Sequence, residues 1–148
     1  MAGDVFVFEN IVLTFFLSMN TATAPRWIVF AAGILGFSGV ALGALGAHAL
    51  KETLTLHSSV TTWQTAMVYQ LVHSAALLAI AQLPAARSTT VAWTARCWTA
   101  GVILFSGSLY WLSVGGPKII GPITPLGGLA FLVGWALLVW DSVQAPKA

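Results

Sequence analysis

The chain has 148 residues, 58% of them hydrophobic and 7% charged, with a mean hydropathy of +0.89; soluble domains carry about 25% charged residues, so a bilayer is the expected solvent and a second, soluble domain is excluded. Six Lys and Arg stand against four acidic residues, and although the isoelectric point is near 9.0 no basic run exists, so nucleic-acid binding has no electrostatic footprint. The single cysteine, Cys97, excludes an intrachain disulfide and the paired spacings of a zinc site.

In chain order, residues 1–24 come first and are the hardest to place. VFVFENIVLTFFLSM is apolar but interrupted by Glu9 and Asn10, which leaves it short for a crossing. It also lacks the basic leading region of a signal peptide. Two readings stay open: an interfacial helix, or an extension ahead of a second start at Met19.

Four apolar runs follow, over about 27–50, 63–83, 93–114 and 119–140, each long enough to span hydrocarbon. The fold class expected is therefore all-α, an integral membrane bundle of four transmembrane helices occupying residues 25–141. All seven tryptophans fall at or within about two turns of a run's end, as in an interfacial aromatic belt. LKETLTLHSSVT, PAARSTT and VGGPK read as plain connections. Four crossings put both termini on one side, which collects Arg26, Arg87, Arg96 and Lys147, against Lys51 and Lys118 opposite. The positive-inside bias then places both ends in the cytoplasm, including a tail over 142–148. GILGFSG (33–39) and GVILFSG (101–107) echo one another, which raises a duplicated hairpin as one explanation and chance as the other.

The first run carries Gly36, Gly39, Gly43, Gly46 and Ala47 within an arc of roughly 100 degrees. Such a stripe of small residues is expected to be a helix-packing seam, because bilayer helices associate through close backbone approach. In the second run the same arithmetic puts Trp63, Ala66, Gln70, His73, Ser74, Leu77 and Ala81 on one side, with Tyr69 at its margin. Counted from Thr62, Gln70 lies roughly 12 Å deep and His73 about 16 Å deep, near the centre of the hydrocarbon. Bare amides and imidazoles are costly there. The third run adds Ser106, Ser108 and Tyr110. The fourth opens on GPITPLGG, where Pro122 and Pro125 suit a helix start and Thr124 can cap it. One account ties these groups into an interhelical polar clasp, Gln70 and His73 bonding to Ser106, Ser108 or Thr124. The other makes them a ligand site, with His73, Gln70 and Tyr110 around a polar head and the Gly36–Gly43 face along a tail.

Other chemistries find little footing. A bis-histidine haem would pair His48 with His73, but their depths differ by more than about 10 Å. No Asp or Glu lies within the four runs, so a proton path would have His73 alone. There is no G-x-S-x-G elbow, H-E-x-x-H helix, phosphate loop or dinucleotide fingerprint. Neither an enzyme nor a metal or cofactor protein is expected.

GALGAHAL (43–50), WQTAMVYQLVH (63–73), LFSGSLY (104–110) and GPITPLGGLAFLVGW (121–135) resemble the bacterial inner-membrane proteins of domain-of-unknown-function family 423, of which an animal relative is called transmembrane protein 256. The likeness runs from residue 26 to about 141. It implies a four-helix membrane protein and carries no agreed activity, ligand or catalytic residue. It favours Gly43, His48, Gln64, Tyr69, Gln70, His73, Ser106, Ser108, Tyr110, Thr124 and Pro125 as a shared polar and small-residue core. Residues 1–24 fall outside it. The expected role is an accessory, scaffold or assembly subunit, with the bilayer and either a membrane-protein partner or a second copy as company; the rival is a binder of lipid, quinone or another apolar ligand.

Overall fold

A computed structural model of the chain describes residues 25–83 and 88–144; the stretch around Glu9 and the end of the tail lie outside the described residues. All regular structure among the described residues is helical. The helices are α1 (Arg26–Ala47), α2 (Lys51–Leu56), α3 (Val60–Ala81), α4 (Thr89–Gly101), α5 (Gly107–Ser113) and α6 (Ile123–Gln144). A π-helical turn, Val102–Ser106, joins α4 to α5, and a 3-10 turn, Lys118–Ile120, precedes α6. Three stretches, α1, α3 and Lys118–Gln144, are long and apolar enough to cross a bilayer. The path through α4, the π turn and α5 is unbroken over 13, five and seven residues. At helical rise it is about 35 Å long, enough for a fourth passage.

Local chemistry sets the helix limits. α1 stops at Ala47, where His48 leaves helical geometry at φ −119 and ψ −84. The segment expected to be a plain connection folds instead into the short α2, and the chain turns after it at Ser58, whose φ is 50. α4 begins ahead of the third apolar run because Ser88 caps it, its Oγ accepting the Val91 N–H at 3.1 Å. Cys97 sits inside α4, half-buried. Thr124, expected as a cap, lies within α6.

The helices form two antiparallel pairs, α1 with α3 and the α4–π–α5 path with α6, and α3 joins the pairs along the π turn and α5. The core between them holds Ile28, Leu77, Ile80, Val91, Trp98 and Phe131. Outward stand Phe30, Ile34, Phe37 and Val40 of α1 and Leu129, Leu132 and Val139 of α6. In water these faces would be a liability; in a bilayer they are the surface that acyl chains wet.

The tryptophans divide, and this corrects the expectation of a seven-member belt. Trp27, Trp93, Trp111 and Trp140 are exposed near helix ends as interfacial rings are. Trp63 and Trp98 are buried, and each indole lies on a glycine, Gly46 and Gly134 respectively. Trp135 is 42% exposed and turns its Nε1 inward to His73. The absence of a side chain on the facing helix is what admits Trp63 and Trp98.

Each end of the bundle is closed differently. At one, the Arg96 guanidinium lies 4.9 Å from the Trp93 ring centroid and 5.8 Å from that of Trp27, and Ser88 Oγ donates to Asp141 Oδ1 at 3.4 Å. At the other, Ser59 Oγ donates to the Ser113 carbonyl at 2.6 Å.

Candidate functional site

α3 presents Trp63, Ala66, Gln70, His73, Ser74, Leu77, Ile80 and Ala81 to the interior. Gln70 and His73, at 3% and 4% exposure, are withdrawn from lipid at the depth where exposure would cost most.

Gln70 reaches α1. Its Nε2 donates to the Leu35 carbonyl and to Ser38 Oγ, both at 2.8 Å, and Ser38 passes its own proton to Ile34 O. Both amide protons of Gln70 are thereby used. The expected partners Ser106, Ser108 and Thr124 are not the ones it meets: the α1–α3 seam brings α1 closer than the second pair. That seam is built from Gly39, Gly43 and Gly46, where an added Cβ would collide with Leu71 (2.7 Å), Met67 (2.6 Å) and the Trp63 indole in turn. Gly36 stands opposite Ser74 with room to spare, whereas Ala47 is exposed beyond the seam. Trp63 Nε1 adds a bond to the Leu42 carbonyl at 3.0 Å.

His73 reaches α6. Trp135 Nε1 can only donate, and it points at His73 Nε2 across 3.3 Å, so that nitrogen carries a lone pair. The proton then sits on Nδ1, which donates to the Tyr69 carbonyl at 2.8 Å. Both ring nitrogens are satisfied in the neutral form. The ring stacks on Phe131 at 3.7 Å and meets Trp98 edge-on at 5.9 Å, inside an aromatic box.

Ser108 and Thr124 pair directly, Oγ to Oγ1 at 2.7 Å, tying α5 to α6. Ser108 Oγ donates to the Phe105 carbonyl at 2.9 Å, which leaves Thr124 Oγ1 as the donor between the two hydroxyls. Tyr69 is half-exposed at the margin of α3, its ring 4.6 Å from Phe105. Tyr110 packs edge-on against Trp63 at 4.6 Å. The Tyr110 hydroxyl and Ser106 Oγ are buried with no hydrogen-bond partner in the structure. His48 is exposed at the end of α1, and Gln64 and Pro125 are exposed too, so these three of the family-matched positions lie outside the interior.

Two features were not anticipated. One is Ser38, a single step from the glycine stripe, whose hydroxyl receives Gln70; its place beside that stripe was the available signal. The other is the π turn. A Cβ on Gly127 would collide with the Phe105 backbone itself, so the widened turn and the bare patch on α6 fit one another. Beside it, Tyr69, His73, Phe105, Phe131 and Trp135 border a groove of about 560 Å³ open to the lipid face between α3 and α6. Among the described residues no cluster of three or more His, Cys, Asp or Glu could hold a metal ion.

The family described as "Protein of unknown function (DUF423)" matches residues 42–128. A UPF0382 membrane protein of Staphylococcus aureus is 41% identical over 100 residues, which is 68% of this chain and 81% of that protein. One from Staphylococcus saprophyticus is 42% identical over 100 residues, 68% of this chain and 82% of its own. The UPF0382 inner membrane protein YgdD of Escherichia coli K12 is 38% identical over 124 residues, 82% of this chain and 93% of that protein. No solved structure matches the chain.

Proposed function

This chain belongs to the DUF423 family of membrane proteins, and on that premise we propose that it is a non-enzymatic accessory or scaffold subunit, a pre-tied bundle that packs against a larger membrane complex or assists its assembly. The observation that carries this reading is the use made of the mid-membrane polar groups. Gln70 joins α3 to α1, His73 joins it to α6, and Ser108 joins α5 to α6. Bonds of this kind stiffen the bundle, and they engage both amide protons of Gln70 and both ring nitrogens of His73. Its outer faces are then free for lipid and for another protein's helices. Both termini are assigned to the cytoplasm, by the excess of Arg and Lys at the Arg26 and Arg96 end.

The test is purification in mild detergent at native expression. A partner, or a second copy, in fixed stoichiometry is the expected result; recovery only as a lone chain contradicts the proposal.

A second reading, binding of a quinone or another apolar ligand, has the groove beside His73 in its favour. The two separate on His73→Ala. A ligand site predicts that a retained small molecule is lost with little change in stability, and a tie predicts a less stable bundle with nothing released. Native mass spectrometry from nanodiscs reads both.

A further inference from the structure

A second hollow lies at one end of the bundle, where α1 ends, α2 crosses and α3 begins. Its volume is about 330 Å³. Its floor is Gly43, Trp63 and Met67, and its rim carries Lys51, Thr55 and Gln64. Gly43 stands one turn before the end of α1 and Met67 two turns into α3. The hollow therefore reaches from the helix ends to a depth of about 10 Å, across the boundary between head groups and acyl chains.

We propose that this hollow is a binding site for one anionic phospholipid, its phosphodiester held at the rim by Lys51 with Gln64, and the start of an acyl chain laid on Gly43 and Met67. Charge complementarity selects this occupant. Lys51 is the sole charged residue lining the hollow, and it is exposed. Its neighbour Glu52 belongs to the same helix but is not part of the lining. Gln64, exposed on the first turns of α3, supplies amide donors at the same level. The lower wall, formed by Gly43, Trp63 and Met67, is largely apolar, with the Met67 side chain lying on Gly43. A soluble anion would satisfy the rim and leave that wall empty; an acyl chain covers it. A basic side chain near the membrane surface favours an anionic lipid by about fivefold.

The experiment uses the full chain in nanodiscs of equimolar phosphatidylglycerol and phosphatidylcholine with matched acyl chains, followed by native mass spectrometry of the lipids that stay bound. Wild type should retain one phosphatidylglycerol in preference to phosphatidylcholine by about fivefold. Lys51→Gln should keep a bound lipid and lose the preference. Thr55→Trp, which fills the hollow from an exposed position on α2, should lose the lipid altogether. Lys118→Gln, an exposed lysine that does not line the hollow, should behave as wild type. Thermal melting of each variant should match wild type, since none of the three positions is buried. Equal retention of the two lipids by wild type overturns the proposal, as does an unchanged preference in Lys51→Gln or an equal loss in Lys118→Gln. Retention of the lipid in Thr55→Trp would place it elsewhere on the molecule and overturn it too. Retention of inorganic phosphate instead of lipid, in a parallel sample dialysed against it, would count against an amphiphile.

Discussion

The two helix pairs use the same residue in opposite ways. Between α1 and α3 all the glycines are on one helix: Gly39, Gly43 and Gly46 of α1 face Leu71, Met67 and Trp63 of α3. Between the α4–π–α5 path and α6 the glycines alternate. Trp98 lies on Gly134, Phe131 on Gly101 and Phe105 on Gly127, with the Ser108–Thr124 bond continuing the same antiparallel register. The one-sided seam meets flexible side chains at two of its three contacts, and polar bonds from Gln70 and Trp63 to backbone carbonyls add to it. The reciprocal one meets rigid aromatic rings and, at Gly127, backbone. Since lipid tails are as apolar as the side chains they would replace, close packing and hydrogen bonds must supply the association. The first pair combines adjustable packing with more hydrogen bonding, and the second relies on shape. The two echoing segments, GILGFSG and GVILFSG, pack differently: Gly39 is pressed against Leu71, whereas Gly107, its counterpart, has nothing within 4 Å.

If that contrast is right, substitutions should rank accordingly in reversible unfolding from bilayer or detergent. Gly127→Ala should be the most damaging, because the new methyl meets the Phe105 backbone, which cannot rotate away; a loss of about 3 kcal/mol or more is expected. Gly43→Ala, with only the end of Met67 to displace, should cost about 1 kcal/mol or less. Equal losses at the two sites would erase the distinction between the pairs. Gln70→Leu removes both bonds to α1 and should cost about 0.6 to 1.7 kcal/mol. Smallest, and opposite in sign, is Gly107→Ala, which adds a methyl in open space within a helix and should stabilise by about 0.4 to 1 kcal/mol.

How much of this was visible beforehand depends on whether a property belongs to one helix or to two. The interior face of α3 follows from helical periodicity, and only Ile80 was left out of it. The glycine stripe of α1 could be read for the same reason. Partner choice could not, because it depends on register between helices: Gln70 bonds to Ser38 and Leu35 of α1 and to none of the hydroxyls of the second pair. Trp135 looked interfacial because the apolar run ends at Trp140. α6 continues to Gln144, which moves Trp135 inward to meet His73. The π turn at VILFS contains neither proline nor glycine, so local sequence carries no mark of it; the need to match Gly127 against Phe105 appears only in the packed pair.

The claim beneath all of this is that polar side chains at mid-membrane tie α3 to its neighbours, and a double-mutant cycle on His73 and Trp135 tests it most directly. With His73→Leu, Trp135→Phe and the double variant unfolded under the same conditions, a coupling of about 0.6 to 1.7 kcal/mol is predicted. Strictly additive effects, with each single variant as stable as wild type, would contradict it.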